Sequence, residues 1–222
     1  MSSEGFDEAI NFSFIDAAAD GTIELIPALR SSSASSNNAE LVSVANPIVE
    51  GSTRMRPTLV PGLLDAVRRN FDHGIKDVTL YEIGRVFSVG EPKPLELDAL
   101  ALVATGGLLR ANRAGAEREL DFYDLKGAVE LAVEALRVPT LKFEAARLRH
   151  LRDGQSASIW MGGTQIGAIG RLGDNLAAVY KFRQPIYVCE VDLSALEAIS
   201  IAPVRYHPLG RYPRCFAICR WC

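Results

Sequence analysis

The chain has 222 residues, 48% of them hydrophobic and 23% charged, and its formal net charge is −3. Such a composition is typical of a globular protein that forms its core without disulfides or structural metals. The acidic balance argues against a dedicated nucleic-acid-binding surface, and no apolar run approaches the roughly 20 residues that span a bilayer. Because no basic, apolar leader opens the chain, we expect no signal peptide and a cytoplasmic location.

The first third of the chain predicts a strand, a polar loop and a helix. Apolar and polar residues alternate from Phe6 to Ile15, which is the spacing of a strand. The run of serines and asparagines from Ser31 to Asn38 predicts a flexible loop. Apolar residues from Leu59 to Phe71 recur at helical spacing, and Thr58 is the expected N-cap of that helix.

Two strands and a second helix follow. Strands are predicted over Asp77–Val89 and Leu97–Thr105, and a helix with one apolar face over Asp121–Leu136. Asp121 or Asp124 can cap this helix. The same two carboxylates could bind a cation, but their place beside a helix N-terminus favours the capping interpretation.

The last predicted elements are a hairpin, a strand and a short helix. The hairpin covers residues 157–172, and the pair Gly162-Gly163 suits its turn. A strand is predicted over Ile186–Val191, and Ser194 with Glu197 fits a capping box. Strands joined by hairpins outnumber helices, so we predict an α+β fold with an antiparallel sheet flanked by helices.

No residue stands out as catalytic, cofactor-binding or metal-binding. The glycines do not have the spacing of a phosphate-binding loop, and the three histidines are far apart. Three of the four cysteines lie in the last eight residues without a matching ligand cluster. Five arginines could hold ATP or tRNA phosphates, or could pair with carboxylates at a subunit interface, and the acidic composition favours interface or structural pairing. They are Arg54, Arg56, Arg68, Arg69 and Arg85.

Five stretches in a fixed order resemble one protein family. They are EGFDEAINFSF at 4–14, NPIVEGSTRMRPTLVPGLLDAVRRN at 46–70, LYEIGRVF at 80–87, DFYDLKGAVELAVEAL at 121–136, and the run from 154 to 193. Together they resemble the catalytic-like, non-catalytic module of the phenylalanyl-tRNA synthetase beta subunit. The resemblance implies a class II aminoacyl-tRNA synthetase-like fold over residues 1–213.

The resemblance also implies a role and partners. In the family, an (αβ)2 heterotetramer uses ATP and Mg²⁺ to attach phenylalanine to tRNA(Phe), with the chemistry on the alpha subunit. The module is then an assembly element, and the helix after Asn46-Pro47 corresponds to an interface helix. The candidate interface residues that this implies are Leu59, Leu63, Leu64, Val67 and Arg68.

The departures from an active class II domain are equally informative. The strand Gly84–Phe87 resembles the start of motif 2, but the ATP-gripping arginine and glutamate and the motif 3 helix are not traceable. We therefore expect this chain alone to lack adenylating activity, whereas the parent complex is an ATP-dependent ligase. The alternatives are a paralogue with its own adenylating activity and an RNA-contacting binding module.

The chain is expected to be one piece of a longer protein, because the editing, N-terminal tRNA-binding and anticodon-binding modules of the family are not recognisable. After Pro213 the family usually continues with a run like PAVFRDLSLV, where this chain has PRCFAICRWC. One inserted base reconciles the two runs when suitable codons are chosen. The hypothesis is that residues 214–222 are an out-of-frame tail, so that their cysteines carry no functional information.

Overall fold

The computed structural model describes residues 1–16, 23–30, 41–47, 51–109, 118–138 and 140–198. The predicted loop at 31–38 and the tail at 214–222 lie outside these residues. The strands are β1 (Asp7–Glu8), β2 (Phe14–Ile15), β3 (Arg54–Met55), β4 (Val78–Ser88), β5 (Leu95–Thr105), β6 (Gly107–Leu109), β7 (Arg118–Glu119), β8 (Lys142–Ala145), β9 (Leu151–Met161), β10 (Thr164–Leu172) and β11 (Ile186–Asp192). The α-helices are α1 (Pro27–Arg30), α2 (Val60–Asp72), α3 (Phe122–Ala135), α4 (Asp174–Val179) and α5 (Leu193–Glu197).

Seven strands form one sheet in the order β1-β4-β5-β11-β10-β9-β8. Its first pair, β1 with β4, is parallel, and every other neighbouring pair is antiparallel. Two further pairs, β2 with β3 and β6 with β7, form small antiparallel ribbons. The mostly antiparallel sheet with helices packed against it confirms the predicted α+β fold.

The central strand β5 shows how the sheet separates two cores. Ala99, Ala101 and Val103 join the cluster that contains α2, whereas Leu100, Leu102 and Ala104 join the cluster that contains α3. Successive side chains of a strand point to opposite faces, so a continuous run of apolar residues indicates a strand covered on both sides. Helices α2 and α3 therefore lie on opposite faces of the same sheet.

The hairpin β9–β10 has the predicted turn. Gly162 and Gly163 both have positive φ angles, 58° and 87°, as a two-residue primed turn requires. Gly170 on β10 lies close to the neighbouring strand, because a Cβ at this position would lie 2.7 Å from the backbone oxygen of Gln155 on β9. The glycines of this region therefore serve turn geometry and strand packing.

Two local predictions were wrong. The strand predicted over Phe6–Ile15 is two short strands, since Asn11 turns away from the ladder to bond the side chain of Glu82. The cap of α5 is Asp192, whose Oδ1 accepts from the Ala195 N–H at 3.1 Å. Ser194 instead accepts from the Asp98 N–H at 3.2 Å, inside the helix it was expected to precede. Sequence reading also missed the short elements α1, α4 and β8.

Candidate functional site

A buried ion pair lies beneath the start of α2. Arg56 Nη1 and Glu82 Oε1 are 2.6 Å apart, and only 7% and 3% of their side chains are exposed. Arg56 Nε donates to the backbone oxygen of Arg85 at 2.9 Å, and Nη1 also donates to that of Asn11 at 3.3 Å. The guanidinium therefore joins the segment before α2, strand β4 and the N-terminal segment.

A second buried carboxylate caps α2 from the neighbouring strand. Glu190 Oε1 accepts from the Leu59 N–H at 2.7 Å, and Oε2 accepts from the Thr58 hydroxyl at 2.8 Å. The helix begins at Val60 with Leu59 as its N-cap residue, one position later than predicted, but Thr58 Oγ1 accepts from the Val60 N–H at 3.2 Å, which is the bond expected of a capping threonine. Glu190 adds a second acceptor from 131 residues away in the chain.

The environment of Glu190 favours its protonated form. Burial raises the pKa of Glu190 to about 7, and the nearby Glu82 carboxylate acts in the same direction. The Leu59 N–H, the Thr58 hydroxyl and the Arg56 guanidinium each lower this pKa, but their combined effect is smaller. Desolvation of a fully buried charge therefore outweighs two short hydrogen bonds and a neighbouring cation.

Asn11 and two glycines complete this cluster. Asn11 Nδ2 donates to Glu82 Oε2 at 2.7 Å. A Cβ on Gly62 would lie 2.9 Å from Asn11 Cβ, so only glycine in the first turn of α2 admits the asparagine. A Cβ on Gly84 would likewise overlap the Arg56 guanidinium. Residues from four of the five family-like stretches, in the runs NFS, RMRPT, YEIGR and CEVD, thus meet at the N-terminal end of α2.

These groups are already engaged with one another, and little space remains beside them. The cavity next to Glu190 is lined also by Val60, Gly167, Val188 and His150, and its volume is about 10 Å³. That is room for about one water molecule, whereas small-molecule sites usually enclose roughly 300–1,000 Å³. Among the described residues, this cavity beside Glu190 is therefore too small for a nucleotide.

Four of the five predicted interface residues lie in the core of this chain. Leu59, Leu63, Leu64 and Val67 have relative exposures of 0%, 1%, 0% and 0%. They pack in the cluster that covers the sheet, so their surface is not available to a partner in this structure. Arg68 lies on the opposite side of α2, with 53% of its side chain exposed and its Nη2 3.1 Å from Asp65 Oδ1.

The five arginines do not converge on one anion site. Besides the buried Arg56, Arg85 contacts Glu96 at 3.1 Å, and Arg69 donates to Asn11 Oδ1 at 3.4 Å. Arg54 bonds the hydroxyl of Ser43. Carboxylates are the partners of Arg56, Arg68 and Arg85, whereas Arg54 and Arg69 contact a hydroxyl and an amide oxygen.

Glu82 and Glu190 were missed by sequence reading, although a signal for them exists. Each is an acidic residue at an inward position of an apolar strand, in VTLYEIG and IYVCEVD respectively. A glutamate is almost never fully buried unless it has partners. An inward acidic residue therefore predicts a partner across the core, but the sequence does not say which one.

The other groups singled out in the sequence have structural roles. Asp121 accepts from the N–H groups of Tyr123 and Asp124, and Asp124 accepts from the Asp121 N–H, which confirms the capping interpretation. His73 lies at the end of α2 near the Arg69 carbonyl, and the buried His150 accepts from the Glu24 N–H at 3.2 Å. His207 is outside the described residues.

The described part of the chain holds neither a cluster of metal ligands nor a membrane-spanning helix. Within it, no group of three or more His, Cys, Asp or Glu side chains could hold a metal ion. Among the helices of the same residues, none is both long and apolar enough to cross a membrane. Burial also raises the pKa of the Cys189 thiol, as expected for a cysteine that serves as a small core residue.

Comparison with solved structures agrees with the fold. A pyrrolysyl-tRNA synthetase structure from Desulfitobacterium hafniense matches with a TM-score of 0.60 and 17% identity, covering 88% of this chain and 63% of that one. A second structure of the pyrrolysyl-tRNA synthetase from the same organism gives a TM-score of 0.59 at 14% identity. At this level of identity the likeness establishes the class II synthetase fold alone.

Comparison with sequences establishes the family. The phenylalanine–tRNA ligase beta subunit of Bacillus subtilis is 34% identical over 173 residues, covering 77% of this chain and 21% of the relative. That of Staphylococcus epidermidis is 31% identical over 217 residues, covering 96% and 25%. The chain thus spans about a quarter or less of these relatives. The family model of the phenylalanyl tRNA synthetase beta chain CLM domain matches residues 1–193, so the chain belongs to that family.

Proposed function

We propose that this chain is the non-catalytic, class II synthetase-like module of a phenylalanine–tRNA ligase beta subunit, with residues 1–213 as one module. Its role is to hold the catalytic alpha subunit within an (αβ)2 assembly in the cytoplasm. The alpha subunit uses ATP and Mg²⁺ to attach phenylalanine to tRNA(Phe). The observation that carries this proposal is the match of the beta chain CLM domain model to residues 1–193, on a class II synthetase fold.

The proposed contact surface is the exposed side of α2 with the N-terminal segment beside it. Ile10 and Phe12 are 91% and 78% exposed, while Asn11 between them is tied to Glu82. Arg69 reaches the same asparagine from α2. Two exposed apolar side chains on an anchored segment, next to exposed Arg68, combine the apolar and arginine contacts that interfaces favour.

The buried residues of α2 contribute to the proposed contact surface only by holding the helix in place. Leu59, Leu63, Leu64 and Val67 fix the helix against the sheet, and Arg68 is the member of the predicted set that faces outward. A substitution of the four apolar residues would therefore disturb folding before it disturbed association. The exposed residues are the ones that test the interface.

The chemical half of the proposal is tested by phenylalanine-dependent ATP–pyrophosphate exchange. The purified chain alone is expected to give no exchange, with the intact heterotetramer as the positive control. Exchange above the level of a contaminating synthetase would favour the adenylating paralogue instead. Salt-sensitive binding of tRNA by the chain alone would favour the RNA-contacting module.

The assembly half is tested by the affinity of the chain for purified alpha subunit. Phe12→Ser is expected to weaken association by roughly tenfold, because it removes an exposed aromatic contact. Tyr123→Ser is the matched control, since Tyr123 is 74% exposed on α3, against the other face of the sheet. Equal affinities for the two variants would contradict the proposed surface.

A further inference from the structure

An open groove of about 330 Å³ lies between the C-terminal ends of α2 and α4. Its basic lining comes from Arg68, Arg69 and Lys181, against the carboxylate of Asp72 in the lining and that of Asp65, which lies 3.1 Å from Arg68 Nη2. Its apolar lining comes from Phe71, Val179 and Tyr180. The groove therefore differs in sign from the chain as a whole, whose formal net charge is −3.

The apolar wall of the groove is fixed by aromatic packing. The Tyr180 ring stacks on Phe182 with centroids 5.4 Å apart, and Phe182 meets the edge of Phe71 at 5.6 Å. Burial, with a smaller contribution from the Asp65 carboxylate, raises the pKa of Tyr180 to about 12, so its hydroxyl stays neutral. Val179 is 74% exposed beside this wall.

Lys181 is an unusual residue for its backbone position. Its φ is +60°, and the chain turns there because the Lys181 and Phe182 N–H groups bond the carbonyls of Ala178 and Ala177. Glycine is the residue that this helix-ending turn favours, since it has no Cβ to strain. Backbone stability alone does not account for a lysine here, and its amino group adds a third cation to the groove.

We propose that this groove binds an extended acidic segment of the alpha subunit. Carboxylates of that segment pair with Arg68, Arg69 and Lys181, and one aliphatic side chain packs on Val179. The inference rests on the proposed function, and it continues the same exposed side of α2 along the helix. The inference specifies the kind of alpha-subunit segment that binds, namely an acidic one, which the proposed function does not specify.

An acidic peptide fits this lining better than an RNA strand does. One face of the Tyr180 ring is already covered by Phe182, which leaves less of it for base stacking. Asp72 would repel a continuous phosphate backbone, whereas a peptide can place a neutral residue opposite it. The exposed Val179 matches an aliphatic side chain, which RNA does not have.

The chain supplies a matched control for Lys181. Arg137 follows α3, has a φ of +57°, and is likewise a basic residue where glycine is favoured. Lys181→Gly and Arg137→Gly therefore remove the same charge and relieve the same backbone strain, one inside the groove and one outside it. Each is expected to raise the melting temperature by about 2 °C.

The test measures the affinity of the 222-residue chain for purified alpha subunit at low and high salt. Lys181→Gly is expected to weaken binding roughly fivefold and Lys181→Glu roughly 100-fold, with both effects reduced by salt. Arg137→Gly should bind like the unaltered chain. A folded Lys181→Glu variant, judged by its melting temperature, excludes unfolding as the cause.

The outcomes separate the two proposals. If the unaltered chain binds the alpha subunit but Lys181→Gly and Lys181→Glu bind equally well, the acidic-segment inference is wrong and the proposed assembly role stands. If the unaltered chain does not bind the alpha subunit, both are wrong. If the same Lys181 variants instead lose affinity for single-stranded RNA and keep it for the alpha subunit, the groove is an RNA site.

Discussion

The helices α2 and α3 cover opposite faces of one sheet, but their N-termini are fixed in different ways. The start of α3 is capped by its own neighbours, because Asp121 accepts from the Tyr123 N–H at 2.7 Å. The start of α2 has a local bond from the Val60 N–H to Thr58 Oγ1 at 3.2 Å and, in addition, the buried Glu190, which lies on β11. A local cap can form as soon as the helix forms, whereas a distant cap requires the sheet to be in place.

This difference indicates where the fold depends on tertiary contacts. The α2 side holds buried charges that join three distant parts of the chain, and the cluster on the α3 side is apolar. Buried charges are weak evidence for net stability, but removal of one partner leaves the other uncompensated. We therefore infer that the polar cluster fixes the position of α2 more than it adds to the free energy of unfolding.

The largest expected effect comes from breaking the buried ion pair. Arg56→Met is expected to lower the free energy of unfolding by about 3–5 kcal/mol, because the Glu82 carboxylate is left buried without its cation. Urea denaturation of the variant and the unaltered chain measures this difference.

The double variant Arg56→Met/Glu82→Gln is the control for that measurement. It removes both charges, so it is expected to recover about half or more of the loss. A double variant as unstable as Arg56→Met alone would mean that the hydrogen bonds of Arg56 to Arg85 and Asn11 matter more than the charge.

The next largest effect is a pH dependence on the α2 side. The pKa of Glu190 is about 7 in the folded chain, above the ordinary glutamate value of 4.5. Folding therefore favours the protonated form, and its contribution is present below pH 4.5 and is lost as the pH rises through 7. Between pH 5 and pH 8 the unaltered chain is expected to lose roughly 2–3 kcal/mol relative to Glu190→Gln.

The comparison with Glu190→Gln isolates this group from others. Burial also raises the pKa of Asp192, whereas the Arg118 hydrogen bond lowers that of Asp124. Both remain in the variant, so their contributions cancel in the difference. Parallel stability curves for the two chains from pH 5 to pH 8 would show that Glu190 keeps an ordinary pKa in its cluster.

The same contrast between local and distant contacts explains which parts of the fold could be predicted from the sequence. The start of α3 and the hairpin turn at Gly162-Gly163 were predicted because their determinants are adjacent in the sequence. The apolar stripe of α2 was also predicted, but the surface that it packs against was not. Apolar spacing shows which side of a helix is buried, and it does not show which element covers that side. Leu63 and Leu64 face the sheet of their own chain.

The candidate site was predictable only in part. The motif residues Arg56 and Arg85 were recognised as charged groups in one block, but their separation into a buried and an exposed residue depends on the tertiary fold. Glu190 lies 134 positions after Arg56 in the sequence, and no local pattern links them. Pairings across the core therefore had to come from the structure.

A smaller effect is expected from the cap of α3. Asp121→Ala is expected to lower the free energy of unfolding by about 1 kcal/mol, because two N–H groups in the first turn lose their acceptor. Asp121→Asn keeps an acceptor oxygen and should lose only a few tenths of that amount. Thermal or urea unfolding measures both.

This result sharpens the contrast between local and distant capping. The loss from Asp121→Ala should be smaller than that from Glu190→Ala, which also leaves a cavity and removes the acceptor of the Thr58 hydroxyl in the core. If the two losses were equal, burial of the cap would not distinguish the two helix starts.

The smallest effect is expected from the exposed arginine of the same motif block. Arg85 has 64% of its side chain exposed and lies 3.1 Å from Glu96 and 3.6 Å from Asp98. Arg85→Gln is expected to lower the free energy of unfolding by at most about 0.5–1 kcal/mol, and this loss should shrink in high salt, which screens exposed pairs. The loss from Arg56→Met should stay the same in high salt, because its partner is buried. If Arg85→Gln were as costly as Arg56→Met, or if salt changed both alike, then burial would not be what separates these two arginines.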